Sequence, residues 1–449
     1  MIDKFRKKYP VFIYKSYRTE LTKGGLKISF SFRTEPNIKF TPKVLIREVT
    51  KEKLASLDKS VVDNFAFHLG LMEIPSYWKA TCSPEIVVEA GSLDDYQTEW
   101  WRDLILRGLG QFFYENKIDF TNKDFVEISS KNGQSSPRLI GEVKGDKTLV
   151  PVGGGKDSAV TLDMLSKNFS GIGAFVLNAI PASIAITNLA KVTDVVSVDR
   201  AIDKKLLELN AKGFLNGHTP FSAYLAFLAT FVAYLFDYKN ISLSNEKSAD
   251  EGNVDYKGME INHQYSKTFE FENKFREYNQ RYLSNINYFS FLRPLYEIQI
   301  AKLFSKMERY FDVIRSCNVG QATNSWCCVC PKCLSTFILL YPFLEPQKIM
   351  RVFPQNLYED RSLALLLDSL ISKDKVKPFE CVGTREEFKV ALFLSAQNRK
   401  PLPPLLDIAR RKFLTKERGL ERRAQKVLDN WDKDNNLNKK FESILRKVL

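Results

Sequence analysis

Hydrophobic and polar positions follow three different rhythms along this chain. Over residues 1–145, short alternating segments (Leu26–Arg33 and Ile86–Ala90) read as half-exposed strands. An aromatic-rich stretch spans Asp63 to Asn116. Within it, DDYQTEWWRDLILRGLGQFFYEN (94–116) spaces its apolar residues as one face of a helix. The polar run SSKNGQSSPRL (129–139) has the composition of a linker.

From Lys147 the rhythm changes. Short apolar strands at TLVPV (148–152), GAFVL (173–177), DVVSV (194–198) and NISLSN (240–245) alternate with helical stretches. The helices fall near 157–168, 182–190, 201–210 and 221–236. This alternation predicts a parallel sheet covered by helices on both faces, with ligands at the C-terminal ends of its strands. From about Tyr341 the pattern is helical and closes on a charged helix, Arg418–Leu449. Three regions follow: an N-terminal α+β region (1–145), a parallel-sheet region (146–345) and a C-terminal helical region (346–449).

The longest apolar run, Phe221–Phe236, is shorter than the ~20 residues of a membrane span and reads as a buried helix. The N-terminus carries charge where an export signal needs an apolar core, so a cytoplasmic protein without membrane association is expected. With 44% hydrophobic residues and no internal repeat, most of the 449 residues belong to a globular fold. A net charge of +14 favours anionic partners, and its one dense block, Arg410–Arg423, reads as a solvated face.

The sharpest local signal is VPVGGGKDSAVTLDML (150–165), a strand running into Gly153-Gly154-Gly155, then Lys156-Asp157-Ser158, then a helix. Glycines let backbone amides approach phosphate oxygens, and Ser158 adds a donor at the positive end of the helix. Lys156 brings a point charge, and Asp157 is placed to position Mg²⁺. A Walker loop needs Lys followed directly by Ser or Thr, whereas here Asp157 intervenes. Other strand ends add candidates: Val176–Asn178 for adenine, Asn245 for the nucleotide, and Glu246 for Mg²⁺ or the nucleotide. His218, in NGHTPFSA, reads either as a catalyst or as a structural hydrogen-bonder.

Five of the 7 cysteines fall within Cys317–Cys333. In a reducing compartment such crowding argues for a metal site. Cys317, Cys327, Cys330 and Cys333 supply four thiolates for a closed, structural Zn²⁺ site, with an iron–sulfur cluster as the rival and Cys328 as an alternative to Cys327.

The order Gly-Gly-x-Asp-Ser resembles the PP-loop of ATP pyrophosphatases, with Gly153 where that loop usually has Ser. Together with the late cysteines it is similar to the 7-cyano-7-deazaguanine synthase branch. A longer match runs over residues 60–345. SYWKATCSPEIVVEAG, VPVGGGKDS, LNGHTPFSA, SNEKSADEGN, FLRPLYEIQIAKLF and the cysteine segment together resemble the MurL family of UDP-N-acetylmuramoyl-L-alanyl-L-glutamate epimerases.

That resemblance implies an adenine nucleotide alpha hydrolase-like (PP-loop) α/β fold, flanked by the N-terminal α+β and C-terminal helical regions. It also implies ATP-dependent epimerisation of the terminal L-Glu of UDP-MurNAc-L-Ala-L-Glu, in peptidoglycan precursor synthesis, with release of AMP and pyrophosphate. Adenylation of the α-carboxylate removes a charge that would oppose loss of the α-proton. Cys82, with Lys79 nearby in sequence, is a candidate for moving that proton, as are His218 and Glu246. Cys82 equally suits a small buried residue. Trp100-Trp101 read as core residues in preference to a platform stacking uracil, and Arg102, Arg107 or Arg293 as holders of the substrate diphosphate or carboxylates. The competing reading is another PP-loop enzyme, of the 7-cyano-7-deazaguanine synthase or tRNA-modifying kind. No RNA-binding signature supports a nucleic-acid partner.

Overall fold

A computed structural model of the protein describes residues 2–130, 140–397 and 401–449. Among them, one eleven-stranded sheet runs through the molecule. Its N-terminal strands are β1 (Val11–Thr22), β2 (Gly25–Thr34), β3 (Ile38–Phe40), β4 (Lys43–Ile46), β5 (Glu85–Val88) and β6 (Glu127–Ser130). Next come β7 (Thr148–Pro151), β8 (Ile172–Leu177), β9 (Val195–Ala201) and β10 (Asn240–Leu243). A detached hairpin, β11 (Val254–Tyr256) and β12 (Met259–Ile261), precedes the last strand, β13 (Asn287–Ser290). The linker expected at 129–139 has its first two residues in β6, and 131–139 lie outside the described residues.

The strand order is β13-β10-β7-β8-β9-β4-β2-β1-β5-β6, with β3 on β2. Strands β13, β10, β7, β8 and β9 are mutually parallel, as the alternation of the middle region predicts. The chain winds outward from β7 through β8 to β9. It then crosses back through the helix Phe221–Leu235 to place β10 on the other side of β7. Winding therefore reverses between β7 and β10, and the crevice at their C-terminal ends is where a doubly wound sheet receives its ligand.

The sheet does not stop at β9. Strand β4 pairs antiparallel with it, from Lys43↔Ala201 to Ile46↔Val198, and the β1–β2 hairpin follows. The result is a mixed α/β fold with a large, mostly parallel sheet. This pairing keeps residues 199–201 in β9, so the helix expected from Ala201 begins at Lys204, capped by Asp203. At Gly25 (φ +123°) a Cβ would stand 2.2 Å from the Ile46 carbonyl oxygen, so the turn into β2 requires glycine.

Alternate residues of each strand serve different cores. Leu149, Phe175 and Val196 join the core that holds the N-terminal aromatics and the helices Lys59–Trp78 and Phe221–Leu235. Val150, Ala174 and Val176 face the opposite core, formed with the helix Lys156–Asn168 and the C-terminal helices. The C-terminal region is helical, but the expected helix from Arg418 breaks into Leu420–Leu428 and Lys439–Arg446. Asp and Asn side chains divert the chain between them. Asp432 Oδ1 accepts from Asp434 N (2.9 Å) and Asn435 Oδ1 from Leu437 N (3.1 Å), turns that compete with helix. No helix among the described residues is long and apolar enough to cross a membrane.

A buried ion pair joins the N-terminal region to the parallel strands. Arg200 on β9 grips Glu73 of the helix Lys59–Trp78 with two hydrogen bonds, Nε–Oε1 at 2.8 Å and Nη2–Oε2 at 2.6 Å. Its guanidinium also lies 4.2 Å from the Tyr224 ring centroid. Removing one partner leaves a buried charge uncompensated. Glu73→Ala is expected to lower unfolding free energy by about 3–5 kcal/mol in a urea titration.

Candidate active site

The loop after β7 occupies the crevice. Val152 N–H donates to Phe175 O (2.8 Å), carrying sheet pairing to the edge of the three glycines. Gly154 adopts φ +97°, and a Cβ there would press on Ile180 (3.0 Å) and Ala182 (3.1 Å). Only glycine suits that position. Gly153 differs: nothing lies within 4 Å of where its Cβ would be, so the serine that PP-loops carry would fit. Gly155 precedes the helix Lys156–Asn168, and the first amides of that helix point toward the crevice mouth. Ser158 Oγ donates to Gly155 O (3.0 Å).

Beneath the loop lies a charged floor. The Lys156 ammonium donates to Asp157 Oδ1 (2.6 Å) and Glu297 Oε1 (2.9 Å), two of the three bonds it can make. Burial opposes its charge, but the two carboxylates outweigh burial and hold its pKa above the usual lysine value. Burial likewise opposes the Glu297 charge. Lys156, Lys332 and Lys267 override it and hold that carboxyl below the usual range. Among the described residues nothing hydrogen-bonds Glu297 Oε2, although it is buried. Glu246, after β10, is pushed up to about 7 by burial and by the charges of Asp157 and Glu297, against the pull of Lys267 and Lys156.

The rim of the site comes from six distant segments. His263 Nδ1 lies 2.6 Å from Gln111 Oε1, and its ring centroid is 4.4 Å from that of His218. His218 is driven down to about 3 by burial and by His263, Lys79 and Lys267, so it is neutral at physiological pH. The Lys79 ammonium bonds Gly217 O. Cys381, half-buried, accepts from Lys267 Nζ at 3.0 Å and is also hydrogen-bonded by His263. Lys332 Nζ bonds the Cys381 carbonyl and stands 3.6 Å from Glu297 Oε1. Burial alone would raise the Cys381 thiol; Lys267, His263 and Lys332 bring it down to about 5.

The cysteine cluster buttresses this rim. The Cys317, Cys327, Cys330 and Cys333 sulfurs all lie within 4.8 Å of one another. Zn–S bonds of ~2.3 Å in a tetrahedron place sulfurs about 3.8 Å apart. The observed separations are 3.9 Å (Cys317–Cys330), 3.7 Å (Cys327–Cys333) and 3.5 Å (Cys330–Cys333). The donor set therefore fits a tetrahedral four-thiolate metal. Cys328 turns away at φ +62°, its thiol toward Trp326 O (3.7 Å). On one side of the cluster, Arg315 N–H bonds Gly154 O (2.8 Å). On the other, Lys332 reaches Cys381 from between Cys330 and Cys333.

The structure thus brings together Gly153–Ser158, Glu246, His218 and, next to them, the four cysteines. Asn245 is half-buried beside Glu246. Asn178 follows β8, with its side chain exchanging hydrogen bonds with the Arg200 backbone (2.8 and 3.2 Å). Cys82 is not part of the assembly. It sits in the N-terminal core at φ +47°, where burial raises its thiol far above the usual value. Trp100 and Trp101 pack in that same core. Arg293 is fully buried, donating to Glu246 O (2.7 Å) and Lys267 O, so it positions two site residues. Arg107 is paired with Glu270, and Arg102 bonds Val126 O. His263, Lys267, Lys332, Glu297 and Cys381 are the residues that pattern alone missed. They come from four separate segments, so no spacing announced the set.

A family model described as the MurL N-terminal domain matches residues 3–291, and one described as the MurL C-terminal domain matches residues 313–412. Among curated relatives, the UDP-N-acetyl-alpha-D-muramoyl-L-alanyl-L-glutamate epimerase of Xanthomonas oryzae pv. oryzae is 34% identical over 333 residues, 72% of each chain. The protein of the same name from Salinispora tropica is 34% identical over 325 residues, 71% of this chain and 70% of its own. That of Micromonospora sp. is 33% identical over 327 residues, 72% of each.

Two outcomes follow from the geometry. Metal analysis of purified protein is expected to give one zinc per chain, retained in Cys328→Ser and lost in Cys327→Ser. The second concerns pH. Glu246 keeps its proton up to about 7 when folded, against 4.5 for an ordinary glutamate, so the folded state binds more protons between those values. Its contribution to stability is full below pH 4.5 and disappears as pH rises through 7. Glu246→Gln is expected to flatten the fall in thermal midpoint across that window, measured without nucleotide.

Proposed function

The chain belongs to the MurL family, and on that premise we propose that it epimerises the terminal L-Glu of UDP-MurNAc-L-Ala-L-Glu to D-Glu, cleaving ATP to AMP and pyrophosphate. One observation carries this reading: Lys267 and Lys332, which hold Cys381, also bear on Glu297, the carboxylate that Lys156 grips beside the glycine loop. The strand order and the Gly153–Ser158 loop support a PP-loop fold for the middle region, 146–345. Residues 1–145 then supply the substrate side through Lys79 and Gln111. The C-terminal region, 346–449, supplies Cys381.

In this reading the amides of Gly153–Gly155 and the first helical turn hold the outer phosphates of ATP, with the third Lys156 donor and Ser158. The β8 end and Asn245 flank the nucleoside. Because Asn178's side chain is engaged with Arg200, the β8 segment offers adenine its backbone. Asp157, Glu246 and Glu297, with its unpartnered buried oxygen, are the carboxylates that would hold Mg²⁺. Bound there, Mg²⁺ would neutralise phosphate charge. A substrate carboxylate attacks the α-phosphorus, pyrophosphate leaves, and the resulting acyl-adenylate carries no carboxylate charge. Its α-proton is then acidic enough to be removed to an enolate, reprotonation on the other face inverts the centre, and hydrolysis releases AMP. A metal bound by the four thiolates would have no open position and would serve structure. Nucleotide substrates on both sides support a cytoplasmic setting.

The assay is AMP formation dependent on UDP-MurNAc-L-Ala-L-Glu, with chiral analysis of the glutamate released on hydrolysis. D-Glu appearing in step with AMP is expected. AMP formation indifferent to this dipeptide would instead indicate a nitrile- or amide-forming PP-loop enzyme. Within the loop, Gly153→Ser is expected to keep activity because its Cβ meets open space, whereas Gly154→Ala displaces phosphate-binding amides. That loss is expected to lower kcat on the order of 100-fold.

A further inference from the structure

Resting on the epimerase reading, we infer that Cys381 is the catalytic base that takes the α-proton of the activated glutamate. The base must be anionic near neutral pH, accessible to substrate, and close to the loop where the acyl-adenylate forms. Cys381 has the cationic surroundings and the place, and the residue is partly exposed. It is half-buried, Lys267 Nζ lies 3.0 Å from its sulfur, His263 hydrogen-bonds it, and Lys332 holds its carbonyl. Glu380, just before it, accepts from Asn318 Nδ2 (2.7 Å), and burial together with the Cys381 charge raises its carboxyl.

A second observation ties the thiol to the phosphate floor. A Cβ on Gly383 would lie 3.4 Å from Glu297 Oε2, the buried oxygen without a partner among the described residues. The segment 381–383 and the glycine loop therefore border the same unsatisfied carboxylate, which Lys156 grips from the loop side. Glu387 pins this segment in place, its Oε2 accepting from Thr384 N (2.7 Å) and its Oε1 from Ile298 N (2.8 Å). The cations around the sulfur keep it deprotonated at neutral pH.

The step balances without an oxidant or reductant. The Sγ lone pair forms the S–H bond as the Cα–H bond breaks. That electron pair moves into the Cα–C bond, and the acyl C=O pair moves onto oxygen. A proton originating in water is delivered to the opposite face, and the thiol later returns its own proton to solvent through His263.

The test uses the full-length protein with ATP, Mg²⁺ and UDP-MurNAc-L-Ala-L-Glu in D₂O. Wild type is expected to form AMP and to incorporate deuterium at Cα. In Cys381→Ala, adenylation and pyrophosphate release continue, while deuterium incorporation and D-Glu fall at least about 100-fold. Near-wild-type incorporation in Cys381→Ala would overturn the assignment and leave the epimerase reading standing. Wild type that forms no AMP with this substrate would sink both.

A measurement on unsubstituted protein guards against misfolding of the variant. Iodoacetamide at pH 6.5, followed by peptide mapping, is expected to abolish Cα exchange in proportion to Cys381 modification, with substrate and ATP giving protection. Exchange that persists after complete Cys381 alkylation would refute the role.

Discussion

The site depends on one buried contact, the Lys156 ammonium held between Asp157 and Glu297. Three segments meet there: the loop after β7, the helix that starts at Glu297, and through Glu297 the Lys332 side chain of the cysteine region. Taking these charges out of water costs several kcal/mol per ion, so the arrangement survives only because each charge faces an opposite one. A hydrophobic trio of the same volume would give comparable stability. What the ions supply is orientation: a cation under a nest of backbone amides, and carboxylates directed at the same space.

The thiolate cluster extends that constraint. Its four sulfurs close a 17-residue span, Cys317–Cys333, into a compact knuckle with arms on two parts of the crevice. One arm, Arg315, bonds the strained Gly154. The other, Lys332, fixes the carbonyl of Cys381. A metal held by these four thiolates would bear on the site without taking part in chemistry. It would set the distance between the glycine loop and the thiol, much as outer-shell hydrogen bonds set the geometry of a ligand.

Two cysteines show how environment selects function. Cys82 and Cys381 are both single thiols far in sequence from the cluster. Cys82 sits among apolar side chains, and burial keeps it protonated. Cys381 meets two lysines and a histidine, and their field prevails over burial. Lys79, three residues before Cys82, points its ammonium at Gly217 O instead, toward His218 and the other rim. Proximity along the chain was a poor guide because side chains three apart at a helix end diverge.

What the sequence alone determined is local. A strand, three glycines, Lys-Asp-Ser and a helix must build a tight turn with helix amides at its mouth, because those steps involve only neighbouring backbone and steric freedom. Closely spaced cysteines must converge for the same reason, and the alternation over 148–243 dictates parallel strands. Tertiary structure decided the rest. It placed β10 beside β7 and so located the crevice; it ran β4 onto β9 and so merged the N-terminal strands with the parallel ones; it turned Cys328 away and kept Cys327. It also chose Cys381, more than two hundred residues from the phosphate loop, because a pKa is set by the charges that surround a group in space, and periodicity carries no information about those.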